Sequence, residues 1–508
     1  MRRIQVVIRE VDDQTADPPK ELATFDLPTA DLAALNPQTA LDNLEATTHE
    51  TGNAILRRTL QAQWEVIDAA LAEQYRQRFS PQPVQADGHA SVKVASRFGT
   101  LHLNRQVFAP LREGTHVLPS NALLPPHQGM IITRALQELA CLLPQDLSFE
   151  SVTRLLSWQT LDAQVLSDTT VRNLVRTHGQ IIRQAEQAEV AALLAHHDLT
   201  TLRPQLIPPQ QPRRRAAWPV ELTAAVDAAL SAGATRRPAG VTAVDWERVL
   251  TVRRAEQVQT VEELRRLGPD VAPDQVLTTA DEVLTRKLAR RRFNELRTAR
   301  LVTTEGSRYL SGAGDGFLSL LLVMVLLCAQ RQRVVLLIAD GARWIRNWFA
   351  ALLALSPTSV MILDWFHLRK RCAELGSMIC HGRKAKAALL GPLYRHLWQG
   401  EVDAAIAMLE AYRSQARNPD RLSELIAYLR DRRAYIPNYR VRRRESQYIG
   451  SAHVEKANDL IVAQRQKGAG MHWSLATSDA LAALRTLMLN GGWDRYWRHR
   501  EVLPLVAT

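Results

Sequence analysis

The chain is poor in cysteine. Its 508 residues hold four, Cys141, Cys328, Cys372 and Cys380, and no two form a Cys-x-x-Cys pair. That spacing argues against a zinc knuckle and predicts reduced, buried thiols in an intracellular protein. Long apolar runs are also lacking. The most apolar stretch, FLSLLLVMVLLCAQ from Phe317 to Gln330, has 14 residues. Crossing a bilayer takes about 18, so a buried core helix is expected there. The opening MRRIQVVIREVDDQ turns acidic too early for a signal peptide. There is no G-x-x-x-x-G-K-[ST] loop, which disfavours an ATP-driven motor. No internal repeat is present.

What the chain does have is positive charge. Lys and Arg number 64 against 52 Asp and Glu, a net +12. A basic balance fits a polyanionic partner such as nucleic acid. Hydrophobic residues at 46% and charged residues at 23% describe a globular protein, and the length allows about three domains.

The first strand signal is IQVVIREV. From about Pro37 to Arg78 the apolar residues Ile55, Leu60, Trp64, Ile67, Leu71 and Tyr75 keep helical spacing. Ser91 to Phe108 alternates like a β-hairpin with its turn at Phe98-Gly99. Phe149 onward predicts a helix, a connector and a second helix capped by Ser167. That second helix offers Thr170, Arg172, Asn173 and Arg176, residue types that read bases and phosphates. The same pattern also suits an ordinary helical hairpin. The Pro- and Arg-rich RPQLIPPQQPRRRAAWP reads as linker. Expected boundaries are 1–80, mainly helical; 81–135, the hairpin region; 136–200, helix-turn-helix-like and DNA-binding; and 201–265, linker and helical connector.

The last third has a specific element order. Strands are expected at QVLTTADEVL, LRTARLVTT and SRYLS. A long helix from Gly316, strand RVVLLIAD, helix ARWIRNWFAALLAL and strand SVMILDWF follow. Three meandering strands followed by alternating helices and parallel strands resemble the ribonuclease-H-like α/β fold, with a mixed sheet. Its core is expected at 266–368 and 448–508, interrupted by an all-helical insertion at 369–447. Ligands of open α/β sheets gather at the carboxyl ends of strands. Asp340 ends one such strand, and Gly341 permits a tight exit. Asp281 on the first strand can lie beside it, about 4.8 Å away, close enough for two carboxylates to share a Mg²⁺. Glu455 begins a helix whose apolar face is Val454, Ala457, Leu460 and Ile461, with Ser451 as its cap. Each acid also has a plainer reading, Asp340 as a helix cap and Glu455 as a first-turn acid favoured by the helix dipole.

The segments DGARWI, LDWFHL and GSAHVEKANDLIVAQRQKGAGMHWS resemble DDE transposases of bacterial insertion sequences, the ISKra-type group, distant relatives of Mutator-like and hAT-like transposases. The resemblance covers about Gln275 to Trp497. It implies a triad of Asp281, Asp340 and Glu455 holding two Mg²⁺ (or Mn²⁺) ions, with Asp364 and His367 as auxiliary active-site residues. The chain departs from the group's pattern at Glu282, where glycine is usual, and at Ala452, where Gly-Ser-Gly is usual. It also lacks a cysteine pair after the N-terminal hairpin.

The implied activity is metal-dependent DNA cleavage and strand transfer at the ends of an insertion sequence. The implied partners are terminal inverted repeats and target DNA, bound by a dimer or larger assembly in the bacterial cytoplasm, with the nucleoid. Arg442, Arg443, Arg444, Lys467, His472 and Trp473 are the DNA contacts expected near the active site, with core packing the alternative for Trp473. Two other functions fit the same residues: an inactive, domesticated DNA-binding protein, or a ribonuclease-H-like nuclease that cuts without joining.

Overall fold

The structure is a computed structural model. It describes residues 4–11, 18–27, 39–79, 84–109, 115–125, 129–163, 165–196, 296–303, 306–331, 336–355, 359–467 and 473–505. The expected linker, the strand QVLTTADEVL and Asp281 lie outside the described residues.

The elements run β1 (Ile4–Glu10), β2 (Lys20–Leu27), α1 (Ala40–Arg78), β3 (Ala86–Ser96), β4 (Gly99–Phe108), β5 (Ile131–Ile132), α2 (Arg134–Leu142), α3 (Phe149–Thr160) and α4 (Asp168–His196). After the undescribed stretch come β6 (Leu296–Thr303), β7 (Gly306–Ala313), α5 (Gly314–Arg331), β8 (Leu336–Ala339), α6 (Arg343–Leu355), β9 (Val360–Leu363) and α7 (Trp365–Ile379). Then follow α8 (Gly382–Gln399), α9 (Val402–Ala411), α10 (Pro419–Asp431), α11 (Tyr439–Arg444), α12 (Ala452–Asn458), α13 (Gln464–Gln466), α14 (Leu475–Leu489) and α15 (Trp493–His499). The fold is mixed α/β with helix dominant and, among the described residues, sheets of two or three strands.

The chain divides into two compact units. One comprises Met1–Leu193, Thr298–Gly312 and Ala452–Thr508. Its β1 and β2 form an antiparallel pair, Ile4 against Leu27. The sequence KELATFDL alternates too weakly to announce β2. β3 and β4 pair antiparallel with Val92 opposite Leu103 and Val94 opposite Leu101. These four side chains are buried beneath Leu60 and Trp64 of α1. Ser96 pairs with Gly99, so the turn is Arg97-Phe98, one residue earlier than the expected Phe98-Gly99. The Ser96 hydroxyl accepts from Phe98 N and donates to Gly99 O, which closes that turn.

Ser148 caps α3, Leu161 ends it in the left-handed region, and Ser167 caps α4 as expected, accepting from Thr170 N at 3.1 Å. Val152, Leu156, Val165 and Val171 share a core with Leu136 and Ala140 of α2. Farther along, α4 meets α14 so closely that a Cβ on Gly179 would lie 2.4 Å from Ala480 Cα. Beside this crossing, Arg183 bonds Asp479, Glu186 and Ser311. Burial alone would weaken the Arg183 charge, but the two carboxylates reverse that and raise its pKa. His178 bonds Tyr496 Oη at 2.7 Å and Gln137 at 3.1 Å; burial, then the charge of Arg500, lowers its pKa to about 4. Trp493, Tyr496 and Trp497 are core residues.

The second unit comprises Leu194–Arg297 and Ala313–Ser451. The apolar α5 buries Phe317, Leu318, Leu320, Leu321, Leu322 and Val323. No described helix is long and apolar enough to cross a membrane. β8 and β9 pair in parallel, Leu336 with Val360 through Ala339 with Leu363. Parallel strands need a crossover, and α6 supplies it, burying Trp348, Phe349 and Leu352. The segment expected to be an all-helical insertion is helical, and one core extends from Leu363 to Ile449. Cys372 and Cys380 are buried in it and Cys141 in the other unit, all three as free thiols. Burial lifts the Cys372 thiol to about 12.

The α4–α14 crossing yields a stability prediction. Gly179→Ala forces a methyl into backbone that has no room for it, so the variant should lose about 1–3 kcal/mol, read as a lower denaturation midpoint with an unchanged slope.

Candidate active site

In-register pairing of β8 and β9 brings two acids to one rim. Asp340 follows Ala339, and Asp364 follows Leu363, which is the pairing partner of Ala339. Asp364 N donates to Ala339 O at 2.8 Å, so the pairing extends to the strand ends. Strand carboxyl ends are where open α/β sheets bind ligands.

The two acids differ in surroundings. Asp340 is exposed. Its Oδ1 accepts from Ala342 N at 2.9 Å, the local turn that starts α6, and Oδ2 has no partner among the described residues. Gly341 has φ +73°, and a Cβ there would lie 2.7 Å from Leu363 Cδ1, so glycine is required twice over. Arg432 donates to Gly341 O at 3.3 Å and lies 4.1 Å above the Tyr428 ring. Arg346 pairs with Asp431 at 2.6 Å. These cations bordering the Asp340 turn were not identified from sequence. Arg432 lies 91 residues from Gly341 and carries no local signal.

Asp364 is 1% exposed at its side chain. Its Oδ1 accepts from Phe366 N and His367 N, capping α7. Its Oδ2 accepts from Ser451 N and Ser451 Oγ. Burial pushes its pKa up, but the Ser451 and His367 hydrogen bonds and the His367 charge outweigh this and hold it below the usual carboxylate range. His367 Nδ1 lies 3.6 Å from Oδ2, beyond hydrogen-bonding distance. Asp364 therefore fixes backbone rather than the imidazole. Ser451, expected to cap the helix ahead of it, instead turns its hydroxyl to Asp364.

Glu455 belongs to the other unit, where it is exposed in the first turn of α12. Val454, Ala457, Leu460 and Ile461 follow the expected apolar face, with Ala457 and Ile461 buried. The helix widens into a π segment at Asp459–Ala463, a rare local geometry that shifts the helical phase.

The expected DNA contacts separate into committed and open side chains. The Trp473 indole donates to Gln466 O, and its ring lies under Arg465 at 4.7 Å and beside Phe149. It packs in the core rather than standing ready for a base. Arg172 pairs with Asp168 at 2.9 Å, and Thr170 Oγ1 bonds Ser167. Asn173 is exposed and Arg176 half-buried. Arg442 donates through Nε to Tyr448 O at 3.0 Å. Arg443 and Arg444 are exposed, as is Lys467, and His472 lies outside the described residues.

No family model, no curated protein and no solved structure matches this chain. The site is therefore read from its own geometry. A hard cation takes carboxylate oxygens. Asp340, exposed with one oxygen open, fits such a ligand. Asp364 does not, because four donors already occupy its two oxygens.

A pH dependence follows from Asp364. Its folded pKa is depressed, so its contribution is complete above the unfolded value of about 3.9. That contribution is lost as pH falls through the lower folded value. Asp364→Asn should cost about 1–3 kcal/mol near neutrality, and the gap from the native chain should narrow below about pH 4 in denaturant titrations.

Proposed function

We propose that this chain is a DDE-type DNA transposase with a ribonuclease-H-like catalytic core. It would cleave and join DNA at the ends of an insertion sequence, with Asp340, Glu455 and Asp281 as its acids. The observation that carries the reading is Asp340, an exposed, half-engaged carboxylate at the carboxyl rim of two parallel strands. The fold reading requires the strand bearing Asp281, which lies outside the described residues.

The arginines of α11 give a second line of support. In the helical body several basic side chains have acidic partners: Arg371 with Glu424, Arg413 with Glu410, Arg421 with Glu424, and Arg433 with Asp403. On α11, Arg440, Arg443 and Arg444 are exposed and, among the described residues, paired with no acid. The neighbouring Tyr439 is buried and donates to Leu363 O at 2.7 Å, which anchors this helix to the end of β9. Uncompensated cations on a helix anchored at the end of β9 suit a phosphate backbone.

Bound Mg²⁺ or Mn²⁺ would activate the attacking oxygen and stabilise the leaving one. The protein's share is to offer Asp340 Oδ2 as a ligand and to keep the arginines bare for DNA. One observation favours a second reading, an inactive DNA-binding derivative: Asp340 Oδ1 is already spent on a helix-starting turn.

Both readings meet in one experiment, Mg²⁺-dependent cleavage and joining of the DNA that flanks the native gene. Asp340→Asn and Glu455→Gln should each abolish joined product while DNA affinity is kept. Binding without cleavage by the native chain, in Mg²⁺ and in Mn²⁺, selects the inactive derivative. Replacing Arg443 and Arg444 together by Ala should reduce the slope of log affinity against log salt by about 2, in an equilibrium binding series.

A further inference from the structure

Residues 449–451 are fastened to the end of β9. Trp365 N donates to Ile449 O at 3.0 Å, and both Ser451 donors reach Asp364 Oδ2. Gly450 lies between them in sequence. A Cβ there would sit 2.7 Å from the Phe366 ring and 3.5 Å from Asp364 Oδ2. Ser451 is the last residue of its unit, and the next peptide opens α12, which carries Glu455 in its first turn.

A helix cap needs one acceptor oxygen, and Ser, Thr or Asn would serve α7 as well. A buried carboxylate is a costly choice for that task alone. Its distinguishing property is a second acceptor, and here that acceptor is used wholly on Ser451. We propose that Asp364 is a positioning residue: by clamping Gly450-Ser451 to the end of β9, it fixes the point from which α12, and with it Glu455, departs. The role in catalysis rests on the proposed function; the clamp itself does not.

Asp364→Asn separates cap from clamp. The amide oxygen can keep the α7 cap, but the NH₂ that replaces Oδ2 faces the Ser451 N–H and cannot accept from it. Hydrogen exchange on the full chain reads this directly. In Asp364→Asn the amides of 450–455 should exchange at least about tenfold faster, reflecting loss of local protection, while α7 is unchanged. Gly450→Ala should reproduce that pattern with the carboxylate intact. Ser451→Ala, which keeps the N–H bond, should shift it less.

In the joining assay, at a temperature where the variants are folded, Asp364→Asn should slow joining by roughly 10–100-fold. The Mg²⁺ concentration for half-maximal rate should rise, with DNA affinity unchanged. A general loss of stability would not produce that split. Unchanged exchange at 450–455, or an equal rise throughout α7, overturns the clamp. Faster exchange in a protein whose native form joins no DNA upholds the clamp and overturns the transposase reading, and with it the positioning of a catalytic acid. Faster exchange with an undiminished joining rate overturns the positioning role alone.

Discussion

A carboxylate taken out of water must have its lone pairs filled, and much of the second unit is arranged around filling those of Asp364. The alternative is a penalty of several kcal/mol for an uncompensated buried charge. Four donors meet the requirement, from residues on both sides of an 84-residue span between His367 and Ser451. Satisfying one side chain thus ties the start of α7, the end of β9 and the exit of the helical body to one point. The helices between them bury their own core of leucines and aromatics, so the body returns the chain close to where it left.

Charge is treated in two ways in that body. Several of its arginines, Arg371, Arg421 and Arg430 among them, are answered by glutamates, which neutralise the surface at little energetic gain, since exposed pairs contribute about 0–1 kcal/mol. On α11, as at Arg383 and Arg395 of α8, no answering acid is found among the described residues. Net basicity is therefore a poor guide to a binding surface, and local imbalance is a better one. Arg172 and Arg443 look alike in sequence, but only Arg172 is held by a carboxylate.

Much of this was legible beforehand. Periodicity identified α1, the β3–β4 hairpin, the α3–α4 pair, and the alternation of β8, α6 and β9, because each buries one face and shows it as a 2.0- or 3.6-residue rhythm. Asp340 at a strand end with Gly341 beyond it was readable for the same reason. Three features were not. β2 has no clean alternation. The Asp364–Ser451 contact joins positions 87 residues apart, so Ser451 looked like a local cap. Trp473 was open to two readings, base stacking or core, because sequence shows an indole but not the Arg465 and Phe149 packed around it. Long-range polar contacts leave no periodic trace, and they decided most of the differences.

The first unit is assembled from three separate stretches of chain, and its α4 helix receives its partner α14 only near the end of the sequence. Synthesis proceeds at about 5–20 residues per second, so Gly179, Val175 and Ile182 wait tens of seconds (roughly) for Ala480 and Leu484 to be made. During that interval an apolar helix face is open on a nascent protein. A product truncated before the last helices also lacks Asp479, leaving Arg183 with Glu186 as its remaining carboxylate partner. The discontinuity makes the core of this unit depend on contacts between residues some 300 positions apart in the chain.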